Sequence, residues 1–272
     1  MGFDGTFAAC SDIKIFYGIS GSGPRLLYIS GTGGDLRRPQ NALTSSFPDH
    51  FETLSYDQRG LAQTDKPDAL YSMAQYCEDA ANLLDVVGWD SCFVMGISFG
   101  GMVAQELAIR HPGRVKKLVL GCTSTGGAGG SSYPLHELQD MPLEEKIKFR
   151  MSKNDTRLNE QWQQDNPEKF QELFDKALET ANFAKDDPGK AMGSRRQLEA
   201  RAEHDTFDRV VDLTMPVLVC GGRYDGQAEP QVVENLAKRI PGAELAYFEG
   251  GHFFLAQDLA ASQKITEFLL SE

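Results

Sequence analysis

Short apolar runs alternate with helical periodicity through the first 122 residues of the chain. Ile13 to Ile19, Leu26 to Ile29, Thr53 to Tyr56, Cys92 to Ile97 and Leu118 to Gly121 read as strands bounded by Gly, Pro or Asp. Ser72 reads as a helix N-cap, followed by Tyr76, Ala80, Leu83, Leu84 and Val87 at helical spacing, with Gly88 as the stop. Phe99 to Arg110 is a second helix, ended by His111-Pro112-Gly113. Strand, helix, strand, helix, strand predicts crossover units and a parallel sheet. From Thr123 to about Asp205 the strand pattern stops. A Gly/Ser-rich stretch, Gly126 to Ser132, leads into polar helical segments at Leu143 to Met151, Glu160 to Gln164 and Pro167 to Ala181. The alternation then resumes with Val217 to Gly221, Pro230 to Arg239, Glu244 to Phe248 and Asp258 to Leu270. The pattern therefore divides the chain into a sheet-based core, 1–122 and 206–272, and an inserted helical segment, 123–205. No internal repeat of 20 to 50 residues is present, which sets aside solenoids and propellers.

Composition changes this picture little. A length of 272 residues suits one interrupted α/β core, and 41% hydrophobic with 24% charged residues is ordinary for a folded globular chain. The formal net charge of −12 works against any partner held mainly by phosphate contacts, so nucleic acid is excluded as the expected ligand. No apolar run approaches the ~18 residues a membrane helix needs, and the start Met1-Gly2-Phe3-Asp4-Gly5-Thr6 has neither the basic nor the apolar region of a signal peptide. Those six residues formally match the myristoylation pattern, but three free positions make it a weak signal. Cys10, Cys77, Cys92, Cys122 and Cys220 are odd in number and form no CxxC pair, so reduced, buried thiols in a cytoplasmic setting are expected, without a metal.

The sharpest chemical signal is Gly96-Ile97-Ser98-Phe99-Gly100, a GxSxG between a strand and a helix. A sharp strand-to-helix turn crowds the backbone at the serine and leaves room only for small residues two positions to either side. Gly96 and Gly100 meet that need, and Ser98 stands at the positive end of the following helix. Serine is a poor nucleophile alone, so a base and an orienting acid are needed. His252 lies on the Gly250-Gly251 loop after the last core strand; His50, His111, His136 and His204 lack that position. Asp225 follows the strand Val217 to Gly221, with Glu229 as fallback; the stretch after Gly121, Cys122-Thr123-Ser124-Thr125, offers no carboxylate. The chain order Ser, Asp, His is that of a nucleophile-elbow hydrolase. Two amides should meet the developing oxyanion: Phe99, next to the serine, and Thr32, in the loop Ser30-Gly31-Thr32-Gly33-Gly34. That loop matches neither phosphate-cradling pattern, so no nucleotide cofactor is expected.

These residues resemble the α/β-hydrolase fold superfamily over nearly the whole chain. Tyr56-Asp57-Gln58-Arg59-Gly60-Leu61-Ala62-Gln63-Thr64 is similar to the family's DxRGxGxS stretch, with Ala62 and Thr64 as departures, and His111-Pro112-Gly113-Arg114-Val115 is similar to its HPxRV helix ending. Ser30 stands where many members have histidine. The resemblance implies a mostly parallel eight-stranded sheet flanked by helices, with 123–205 as a helical cap. Ser98 in place of aspartate argues against the haloalkane dehalogenase and epoxide hydrolase branches. The loop looks closer to the 3-oxoadipate enol-lactonase and small-esterase group, which implies a cofactor-free serine hydrolase of small esters or lactones. Hydrolysis of a carbon–carbon bond in a β-diketone-like substrate, or a ligand receptor on the same scaffold, are the alternatives. Tyr133, Leu135, Phe149 and Phe174 are the apolar candidates for the substrate pocket. The sequence carries no sign of oligomeric state.

Overall fold

The computed structural model of the chain describes residues 4–272; the Met1 to Phe3 start of the lipidation pattern lies outside the described residues. Eight strands form one sheet: β1 (Gly5–Cys10), β2 (Ile13–Ser20), β3 (Arg25–Ile29), β4 (Glu52–Tyr56), β5 (Cys92–Ile97), β6 (Val115–Gly121), β7 (Val217–Gly222) and β8 (Glu244–Phe248). Their spatial order is β1-β2-β4-β3-β5-β6-β7-β8. β1, β2 and β4 pair antiparallel, and every pairing from β4 through β8 is parallel. Parallel strands covered on both faces read as continuous apolar runs. The inner strands obey this: Val94 and Met95 of β5, Leu118 to Leu120 of β6 and Leu218 to Cys220 of β7 are all fully buried.

Helices α1 (Met73–Val86) and α2 (Phe99–Arg110) cross between the strands. Ser72 caps α1 through a reciprocal pair with Gln75, as its position before the helical pattern predicts. The buried face of α2 runs from Phe99 to Ala108 without interruption, because this helix lies against the centre of the sheet. Between β6 and β7 lie α3 (Leu143–Asn154), α4 (Glu160–Asp165), α5 (Pro167–Asn182) and α6 (Lys190–Ala202), with no strand among them. A bridge between Gly126 and Asp205 and a bond from the Thr206 amide to the Thr125 carbonyl, 2.8 Å, tie the two ends of this segment together. The segment has a small apolar cluster of its own, Ile147, Met151 and Phe174. Helices α7 (Pro230–Arg239), α8 (Phe254–Gln257) and α9 (Leu259–Leu270) complete the fold.

Three elements escaped the apolar pattern: β1, α6 and α8. In β1 only Ala8 and Cys10 are buried, so small residues carry what alternation there is. In α6 the buried positions are Gly193, Gln197, Ala200 and Arg201, a face with no large apolar side chain to mark it. No helix among the described residues is long and apolar enough to cross a membrane.

Candidate active site

Parallel strands collect ligand-binding loops at their C-terminal ends. The loops after β3, β5, β7 and β8 meet there, and each carries one of the residues that the sequence singles out. Ser98 ends β5 at φ +55°, a region that a side chain rarely adopts and that the surrounding backbone must enforce. The enforcement is visible at the flanking glycines. A Cβ on Gly96 would fall 2.2 Å from the Gly100 carbonyl oxygen, and one on Gly100 would fall 2.1 Å from that of Ile29. Only glycine fits at either position. The Ser98 amide donates to the Gly121 carbonyl at 2.8 Å, which fixes the turn to the neighbouring strand end.

The Ser98 hydroxyl lies 3.1 Å from His252 Nε2, and His252 Nδ1 lies 2.7 Å from Asp225 Oδ2. All three side chains are buried. The second oxygen of Asp225 accepts the amides of Gln227 and Ala228, at 2.8 and 2.9 Å, so the carboxylate cannot rotate away from the ring. With Nδ1 donating to Asp225, the imidazole presents the Nε2 lone pair to the serine. Burial works against the charged ring, but the Cys122 sulfur and the Asp225 carboxylate outweigh it and raise the His252 pKa above the ordinary histidine value. Burial also raises the Cys122 pKa, so at neutral pH its thiol is uncharged and Asp225 is the charge that favours imidazolium.

The chain reaches this geometry with help from α3. The His252 amide donates to the Asn154 carbonyl at 2.6 Å, and the Gly226 amide donates to that of Lys153 at 2.9 Å. The end of α3 thus holds both the histidine and aspartate loops. On the other side, a Cβ on Gly31 would come within 3.4 Å of the Ser98 Cβ, so the loop carrying Thr32 stands directly beside the serine. Among the described residues, neither the Thr32 nor the Phe99 amide donates to a protein acceptor. Both are therefore free to meet a negative oxygen.

Glu229 is exposed and takes no part in the histidine's bonds. Of the other histidines, His111 pairs with Glu78 at 3.0 Å, His204 is buried against the Ser124 carbonyl, and none meets Ser98. The Tyr133 and Phe149 rings meet at 5.3 Å, tilted by 55°, and the Tyr133 amide donates to the Gln227 carbonyl at 2.7 Å. Leu135 is buried in the short turn that packs on α6. Phe174 packs instead in the apolar cluster with Ile147 and Met151, where its ring is spent on holding α5 against α3.

Two site residues carried no sequence signal. The Gln227 side-chain amide reaches His252 Nε2 at 2.6 Å and shares it with Ser98. Cys122, at φ +41°, occupies the strand end after β6; its sulfur lies within 4.8 Å of the Asp225 and His252 ligand atoms. That trio has donor types suited to a metal, but the ring and the carboxylate are already bonded to each other.

An uncharacterized protein of Mycobacterium tuberculosis is 34% identical over 125 residues, 46% of this chain, and that match spans only 36% of the relative's length. A 2-hydroxymuconate semialdehyde hydrolase of Pseudomonas putida is 29% identical over 233 residues, covering 80% of this chain and 76% of the relative. The crystal structure of the enol-lactonase from Burkholderia xenovorans LB400 superposes with a TM-score of 0.78 at 21% identity, covering 98% of this chain and all of that one, a likeness of fold. The α/β-hydrolase fold family model matches residues 24–259, the span that runs from the first parallel strand past the histidine loop, and the chain belongs to that family.

Proposed function

We propose that this protein is a serine hydrolase of small carboxylic esters or lactones. The observation that carries the reading is the buried relay from Ser98 Oγ through His252 to Asp225, 3.1 and 2.7 Å, set on a strained turn that only glycines can flank. In this reading Ser98 Oγ attacks the ester carbonyl while His252 Nε2 takes its proton. The tetrahedral oxyanion is met by the Phe99 and Thr32 amides. Its collapse breaks the bond to the alkoxy oxygen, which leaves with the proton from His252; in a lactone that oxygen stays attached as a new hydroxyl. Water then attacks the acyl-serine, giving its proton to His252, and the released Ser98 recovers one. Asp225 holds the ring in the accepting tautomer and stabilises the imidazolium.

The segment 123–205 acts in this reading as the cap, with Tyr133 and Phe149 facing the bound acyl chain. A panel of short p-nitrophenyl esters, lactones and β-diketones, together with a fluorophosphonate probe, tests the assignment. The wild type should be labelled and should hydrolyse esters or lactones faster than β-diketones. Ser98→Ala should abolish both labelling and turnover; retention of either overturns the nucleophile, and an unlabelled wild type favours a ligand receptor.

A further inference from the structure

A neutral imidazole has a single acceptor nitrogen. With the His252 Nδ1 hydrogen committed to the Asp225 carboxylate at 2.7 Å, that acceptor is the lone pair on the ring's Nε2. Two groups reach for it. Ser98 Oγ lies 3.1 Å away, and the side-chain amide nitrogen of Gln227 lies closer, at 2.6 Å. A group this near a lone pair must donate to it, so the amide presents an N–H and not its oxygen to the ring. The proton that Ser98 has to give up thus meets a site that another donor already holds.

Gln227 is fixed everywhere except at the end of its side chain. Its own backbone amide donates to Asp225 Oδ1 at 2.8 Å, and its carbonyl accepts the Tyr133 amide at 2.7 Å. On either side, the Gly226 amide donates to the Lys153 carbonyl at 2.9 Å and the Ala228 amide to Asp225 Oδ1 at 2.9 Å. The backbone therefore holds the aspartate loop without the side chain. Gln227 is 3% exposed, and among the described residues the bond to His252 is the one hydrogen bond its side chain makes. Burying a primary amide costs free energy that an apolar side chain of the same length does not incur. The loop has no need of that polar end, and the base does the accepting.

We infer that Gln227 competes with Ser98 for the base: its side-chain amide holds the His252 Nε2 lone pair in the free protein, and Ser98 is activated only when that amide turns away. The inference rests on the hydrolase reading above and adds a restraint on the same relay. Because the backbone is pinned, side-chain rotation alone suffices for release. The bond stabilises only the neutral ring, since an imidazolium carries its own hydrogen on Nε2 and repels an N–H donor. The titratable groups facing the ring are Asp225 and Cys122. From α3 the His252 backbone meets the Asn154 carbonyl, and Asp155 beyond it is paired with Arg157 at 2.6 Å. All of these stay in place when the Gln227 side chain is changed, so a change in the ring's titration reports the amide.

The test is the rate of fluorophosphonate labelling of the wild type and Gln227→Met across pH. Methionine matches the length of glutamine and lacks a donor. The plateau above the histidine limb should rise about 3- to 10-fold, one neutral hydrogen bond expressed as a rate. The limb should move up by the same factor, about half a pH unit to one. On the acid side the two proteins should label equally fast, because there the ring is protonated in both and the amide has no hold on it. A purely structural role would lower the rate at every pH and leave the limb in place, which overturns the inference. An unmoved limb with an unchanged plateau overturns it as well, and so does a limb that moves down, which would mean that the amide oxygen faces the ring. In each of these cases the wild type is still labelled and the hydrolase reading stands, whereas an unlabelled wild type overturns both. Gln227→Leu, which also lacks the donor, supplies the same measurement if the methionine variant does not fold.

Discussion

If His252 is the base of the proposed hydrolase, it faces two opposed demands. A general base must be neutral to accept a proton, yet the ion it becomes must be stabilised. Asp225 serves the second demand at the expense of the first, since its carboxylate raises the ring's pKa. On the triad reading, kcat/KM should therefore rise with pH along a limb centred above the ordinary histidine value of about 6.5. Asp225→Asn should move that limb down and cut kcat by up to ~10⁴, because the amide can donate to Nδ1 and turn the ring into the wrong tautomer. A pH–rate profile reads both effects, and an unmoved limb would remove Asp225 as the cause. Ser98, Asp225 and His252 were legible because each follows a recognisable strand in the right order. Gln227 and Cys122 were not: no motif marks them, and only the closure of the β6 and β7 ends brings their side chains to the ring.

Elements are limited by how closely they approach, and the β5–α2 turn is the tightest case. Gly100 lets α2 start against the end of β3, with no space for a methyl group before the Ile29 carbonyl. Gly100→Ala should therefore cost about 1–3 kcal/mol, the range for overpacking a filled site, and slow fluorophosphonate labelling by moving Ser98. Urea unfolding and labelling rate measure the two; a labelling rate that survives a real loss of stability would show that the turn relaxes elsewhere. The same closeness explains what the apolar pattern could and could not reveal. Strands β5, β6 and β7 announce themselves because both faces are buried in aliphatic side chains. Helix α6 is silent because it contacts the core through Gly193, Gln197 and Arg201, and polar buried faces have no hydrophobic period. Buried polarity is what sequence periodicity misses, and here it lies nearest the candidate chemistry.

Across the whole molecule, two buried groups far apart in sequence set opposing pH dependences of stability. Asp57 accepts the Leu36 and Gln63 amides, but burial dominates and raises its pKa from 3.8 to about 6. The folded state therefore binds this proton more tightly than the unfolded state, and stability is gained as pH falls through 6 toward 3.8. His204 behaves in the opposite sense. Burial outweighs the bond to the Ser124 carbonyl and lowers its pKa from 6.5 to about 4, so the unfolded state takes up the proton first and stability is lost as pH falls through 6.5 toward 4. The two windows nearly coincide, so the two contributions oppose each other across them. Single variants should expose the hidden slopes. Asp57→Asn leaves His204 unopposed, so Tm should fall with acidification across that window; His204→Asn leaves Asp57 unopposed, so Tm should rise. Scanning calorimetry at four pH values on the three proteins measures the slopes, which are independent of any fixed loss of stability that each substitution brings. Parallel slopes in all three would mean that neither group's proton is coupled to folding, while slopes that diverge in opposite directions from the wild type would show that both protons are coupled, in opposite senses.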